Sequence, residues 1–178
     1  MTTIKKLKLG FITAAFTAAL MPIELALAGD EQRAPPEART SGTLGPQVMR
    51  AISNIQEMMQ PEDEEDEPDL AGAKRELDEL YERRFERMND FEKSTVLSFY
   101  TNYYLTMEDY SGAIGIYEQM LLIETLREDT RLRTLRSLGQ LYAAEENWQA
   151  SIDNLEAWRD ISFEEDTVVF RNLAYGYY

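Results

Sequence analysis

The chain has 178 residues, with 18 Lys and Arg against 33 Asp and Glu for a formal charge of −15, and it contains neither His nor Cys. That composition excludes disulfides, thiol nucleophiles, imidazole bases and the usual zinc or haem sites, so no metal or cofactor is expected. A pI near 4.4 argues against a nucleic-acid partner, because affinity for phosphate backbones comes from clustered Lys and Arg. The apolar content, 44% of residues, still suffices for a core.

In chain order, Lys5, Lys6 and Lys8 precede an apolar run from Leu9 through Met21 and a small-residue exit at Ala26-Leu27-Ala28. This is the layout of a cleavable export signal over residues 1–28, with cleavage expected between Ala28 and Gly29. The run is short for a membrane span of about 20 residues, so the processed chain is not expected to be membrane-embedded. Losing three lysines and Glu24 would take the 18 basic and 33 acidic residues to 15 and 32, a net −17. The simplest destination is the Gram-negative periplasm, where a Cys-free domain must rely on packing.

Residues 29–45 carry Pro35, Pro36, Ser41 and Gly42 and read as a flexible polar arm. Pro46 suits a first helical position, and Val48, Met49, Ile52, Ile55, Met58 and Met59 follow at helical spacing, which predicts a helix over 46–60. The six acids Glu62 to Glu67, between Pro61 and Pro68, predict a solvated loop over 61–68. They lack the alternating Asp-x-Asp-x-Asp-Gly order of a calcium loop. Beyond it the apolar spacing is helical throughout, predicting an all-α chain with helices over 70–88, 91–107, 110–126, 129–145, 148–161 and from 166 to the end. Short breaks between them fold neighbours into antiparallel hairpins.

Self-similarity is present. Leu138-Gly139-Gln140-Leu141-Tyr142 followed by Asn147-Trp148-Gln149-Ala150-Ser151-Ile152 repeats a frame found 38 residues earlier at Tyr100 to Tyr104 and Asp109 to Ile114, and 35 residues later at Leu173 to Tyr177. Over residues 89–178, and more loosely from Pro46, the chain resembles the tetratricopeptide repeat family. The resemblance implies tandem helix hairpins in a right-handed α-solenoid. It also implies packing roles for Leu138, for small residues Gly139 and Ala174 on first helices, for Ala113 and Ser151 on second helices, and for Tyr104, Tyr142 and Tyr177 between them. Thr101 and Trp158 depart from the family's small residues. The 38-residue spacing implies about four extra residues near 126–130, against a period of about 34. Residues 46–88 read as a degenerate hairpin whose turn the acidic run expands. The last repeat stops after its first helix, leaving Phe170, Leu173 and Tyr177 without a partner helix, so the natural protein is expected to continue.

A narrower resemblance rests on the signal, the arm leading into Thr43-Leu44-Gly45, and the segments Met88 to Lys93 with Phe99-Tyr100, Glu108 to Ile114, and Thr134 to Tyr142. Together these are similar to periplasmic tetratricopeptide-repeat proteins described as components of the TonB system and encoded beside TonB, ExbB and ExbD relatives. That resemblance implies a scaffold aiding energy transfer to TonB-dependent outer-membrane transporters, with such proteins as partners. The acidic insertion departs from the family's shorter turn.

Register places Ser98, Asn102, Arg133, Arg136, Gln140, Arg171 and Asn172 on the side of the first helices where this family contacts extended peptides. Arg127, Arg131, Arg133 and Arg136 form a local basic cluster that would suit an acidic or C-terminal peptide, unless nearby Asp and Glu pair with them. Tyr100, Tyr103, Tyr104, Tyr110, Tyr117 and Tyr142, with Trp148 and Trp158, read mainly as packing. Glu164, Glu165 and Asp166 read as the charged start and cap of the last helix. No nucleophile and base pair or phosphate-cradling loop is found, so no enzyme is expected. Two other readings remain open: an envelope-assembly factor or chaperone, and a small-ligand or cation-binding protein.

Overall fold

The structure, a computed structural model, describes residues 42–61, 63, 67–162 and 166–177; the expected signal and nearly all of the arm lie outside them. Among the described residues the chain is all-α, with no strand. Its helices are α1 (Pro46–Met59), α2 (Leu70–Arg84), α3 (Asp90–Thr106), α4 (Tyr110–Leu121), α5 (Glu128–Ala144), α6 (Trp148–Ile161) and α7 (Thr167–Gly176), with a 3-10 turn Phe85–Arg87 after α2. Each helix packs on the next; α1 also touches α3, and α5 touches α7. No helix among the described residues is long and apolar enough to cross a membrane.

Three hairpins close in the same way. The residues before α2, α4 and α6 are Asp69, Asp109 and Asn147, with φ/ψ of −87/72, −85/80 and −86/74 degrees. Each side chain accepts the N–H three residues on, from Gly72, Gly112 and Ala150, supplying one of the donors a helix start leaves unpaired. Each backbone N–H in turn donates, at 2.8 Å, to a carbonyl of the preceding helix: Met58, Tyr104 and Tyr142. One turn further in, Ala73, Ala113 and Ser151 are fully buried. The expanded turn after α1 therefore leaves the closure of its hairpin unchanged.

Small side chains set how closely the helices approach. A Cβ on Gly139 would stand 2.3 Å from Leu155 Cδ2, and the Ser151 hydroxyl donates to the Gly139 carbonyl at 2.7 Å. α5 and α6 thus meet with almost no gap, and Leu155 is fully buried there. α3 begins with a capping box, in which Asn89 accepts from Glu92 N–H at 2.9 Å and Glu92 Oε2 accepts from Asn89 N–H at 3.1 Å. The other oxygen of this buried carboxylate accepts Gly45 N–H at 2.8 Å, tying the entry of α1 to α3.

Two expected helices are shorter in fact. α2 ends at Arg84 and passes through the 3-10 turn, which buries Phe85 and Met88. α4 ends at Leu121 rather than running to 126, because burial of Ile123 and Leu126 pulls the chain into successive turns. Thr125 N–H donates to Asp90 at 3.1 Å and anchors that bend. The connection between α4 and α5 is thus residues 122–127, where extra residues were expected at about 126–130.

On α7, Val169 and Leu173 are buried against α5 and α6, so Leu173 does have partners. Phe170, Ala174 and Tyr177 are exposed, although Ala174 and Tyr177 were expected to pack; the Tyr177 hydroxyl donates to Glu156 of α6 at 2.7 Å. Trp158 is buried, but Trp148 and Tyr110, expected as packing, stand out into solvent because each is the first residue of its helix and points off the hairpin tip.

Candidate functional site

Charge is unevenly shared between the helices. α3 beyond Lys93 carries no charged residue, α5 beyond Asp129 carries only Arg131, Arg133 and Arg136, and α7 carries only Arg171. In a chain of −15, the odd-numbered helices of this half are free of acids past their first turns. Their side chains therefore present hydroxyls, amides and guanidiniums to any partner.

The arginines are largely engaged at home. Arg136 Nε donates to Asp166 Oδ2 at 2.6 Å, joining α5 to the residue that caps α7. That hydrogen bond holds the Asp166 carboxyl below its ordinary value, aided by the N–H groups of Val168 and Val169. Arg131 donates to the carbonyls of Leu121 and Ile123 at 3.5 and 3.3 Å, supplying partners for the end of α4. Arg127 pairs with Asp129 at 3.1 Å and Arg133 with the same carboxylate at 3.6 Å. The basic cluster read from sequence is thus mostly a set of helix-end clamps.

The amides divide cleanly. From α3 onward, Gln119, Asn147, Gln149 and Asn154 all make side-chain hydrogen bonds within the chain. Asn102, Gln140 and Asn172 make none among the described residues, and they sit on α3, α5 and α7 respectively. Ser98 is exposed on α3, one turn from Asn102, with its hydroxyl donating to the Ser94 carbonyl at 2.8 Å. α5, which carries Arg133, Arg136 and Gln140, touches α7, which carries Arg171 and Asn172. Ser98 and Asn102 are carried by α3, which is joined to α5 through α4.

A second polar cluster escaped the sequence reading. Lys74 Nζ lies 5.6 Å from the Tyr100 ring centre and 6.0 Å from those of Tyr103 and Tyr104, while pairing with Asp78 at 2.8 Å. Asp78 also accepts the Tyr100 hydroxyl at 2.7 Å. Burial and the Asp78 charge push the Tyr100 hydroxyl far above its ordinary value. Burial alone would raise the Asp78 carboxyl, but the hydrogen bonds from Lys74 and Tyr100 hold it low. The only local signal was Lys74 and Asp78 at i,i+4; the rings come from another helix. Lys74 fills this aromatic nest itself, so the cluster joins α2 to α3 and leaves no vacancy.

Among the described residues no group of three or more carboxylates is placed to hold a metal. Compared with family models, with curated proteins and with solved structures, the chain matches none.

Proposed function

We propose that the chain is an exported scaffold of tetratricopeptide-like hairpins that holds an extended segment of a partner protein against α3, α5 and α7. On this reading it works in the periplasm as an accessory of a TonB, ExbB and ExbD energy-transduction complex. The observation that carries the scaffold reading is the shared closure at Asp69, Asp109 and Asn147, with the same φ/ψ, cap and backbone bond in each hairpin. Repeated closure is what a stack of like hairpins requires. The unbonded carboxamides of Asn102, Gln140 and Asn172 support the placing of the partner, since an amide can both donate to and accept from a peptide backbone. The TonB assignment rests on the sequence resemblance.

The test has two arms. Replacing Asn102, Gln140 and Asn172 together by Ala should abolish co-purification of the partner while leaving the helical content unchanged. A strain lacking the protein should lose uptake through TonB-dependent transporters. Unimpaired uptake through all of them removes the TonB assignment, and undiminished capture by the triple variant removes the amide face.

A further inference from the structure

The exposed aromatic side chains of the C-terminal half gather at one edge of the array. α4 and α5 run antiparallel, because Arg131 near the start of α5 donates to carbonyls at the end of α4. The start of α4 therefore lies beside the end of α5, and the tips 107–109 and 145–147 share an edge. α7 ends there too: a Cβ on Gly176 would meet Ile152 Cγ1 at 2.8 Å and lie 3.9 Å from the Trp148 carbonyl. Tyr110, Trp148, Tyr175 and Tyr177 are 46%, 43%, 67% and 61% exposed along this edge, with Met107 beside them at 51%. Tyr110 and Trp148 stand at equivalent places of successive hairpins with two-fifths or more of their surface in water, and large aromatics so exposed anchor protein interfaces.

The charge around this row specifies its occupant. No Lys or Arg occurs in residues 94–126 or 137–158, so the two tips that carry Tyr110 and Trp148 have no cation of their own. They instead hold Glu108, Asp109, Glu145 and Glu146. The arginines of this half lie on the first turns of α5, on α7 and near the end of α6, where Arg159 pairs with the Glu156 carboxylate that also accepts the Tyr177 hydroxyl. An anionic membrane or acidic segment is repelled here, whereas a lysine or arginine gains a ring face and a carboxylate together.

We propose that this aromatic edge docks a basic, extended segment of a partner protein, with cationic side chains seated between Tyr110 and Trp148 and beside the tip carboxylates. Neighbouring packed helices lie about 8–10 Å apart. An extended chain covers about that distance in three residues, so a basic residue at every third position matches the edge. The proposal stands apart from the amide face and survives its failure.

The probe is a labelled twelve-residue peptide of Lys-Ser-Gly repeats, titrated into the purified full chain, beside its Glu-Ser-Gly counterpart and anionic lipid vesicles. The Lys peptide should bind and shift the emission of exposed Trp148. Its affinity should fall at least tenfold as NaCl rises from about 50 to about 300 mM, with the Glu peptide and the vesicles inert. Tyr110→Ala with Trp148→Ala should weaken binding at least tenfold. Both positions are at least two-fifths exposed, so the fold is kept. Glu108→Gln with Glu146→Gln should lower the salt dependence without moving the helical signal. No binding of the Lys peptide, equal binding of the Glu peptide, preference for vesicles, or unchanged affinity in the aromatic double variant overturns the proposal.

Discussion

From α1 to the turn after α4, fifteen buried apolar residues form one continuous cluster, whereas six form the cluster of α5, α6 and α7. The C-terminal helices make up the difference with close approach and polar ties: Gly139 on Leu155, Ser151 on the Gly139 carbonyl, Arg136 on Asp166, and Tyr177 on Glu156. Another tie, the Tyr142 hydroxyl on Glu118, runs back to α4; burial and that carboxylate push the hydroxyl up to about 12. Burial of apolar area depends little on pH or salt, and ion pairs depend on both. Asp78 and Asp90 hold lowered carboxyls in the first half as Asp166 does in the second, so acid loosens both ends. The smaller apolar cluster leaves the C-terminal end less to fall back on, and it should open first.

The largest contrast is expected from one truncation made at each end. Leu77→Ala, at a fully buried position of the larger cluster, should cost about 2–5 kcal/mol and lower a single denaturant transition. Leu155→Ala, equally buried, should instead split the transition, with α5 to α7 melting early. One shared transition in both variants would break the comparison.

Gly139→Ala comes next, at about 1–3 kcal/mol, since the added methyl would stand 2.3 Å from Leu155 Cδ2 and 2.4 Å from its Cγ, and Leu155 is fully buried. A crystal structure of that variant should show α6 displaced from α5. Asp166→Ala should cost about 1 kcal/mol through loss of the α7 cap. The pH dependence follows from the same carboxylate. Its native value lies below the ordinary 3.8, so its contribution is complete above pH 3.8 and is lost as pH falls through the native value. Hydrogen exchange in acid should find α7 opening before α2 or α3; the reverse order would show that the cap does not hold α7.

The smallest effect sharpens the likeness of the tips. Glu108 and Glu146 both adopt left-handed φ, 55 and 60 degrees, which glycine tolerates better than glutamate. Either one changed to Gly should raise stability by about 0.5–1 kcal/mol, read by thermal melting. Unequal gains would mean that the tips are not equivalent.

Much of the helix pattern was legible in the residues. α6 runs from Trp148 to Ile161 as its spacing indicates, and Pro46 opens α1 at the first helical position. Boundaries failed where local chemistry permits a helix and a distant contact decides otherwise. Nothing in Leu122 to Leu126 forbids continuation, but Ile123 and Leu126 gain more by burial, and Asp90, 35 residues away, holds Thr125. The same blindness affected the arginines. Spacing shows a cluster, but not that Arg136 meets a carboxylate 30 residues later. Trp148 misled through its hydrophobicity; that it is the first residue after a cap, and so projects from a tip, was the available sign.

The bond from Asp69 N–H to the Met58 carbonyl has a practical consequence. It pinches the chain on either side of residues 60–68 and keeps the two ends of that stretch together. Lengthening a stretch closed in this way is cheap, about 0.6 kcal/mol per doubling. The site is thus a port: a reporter domain or affinity tag placed between Gln60 and Pro68 should ride on the array without altering the helices beneath it.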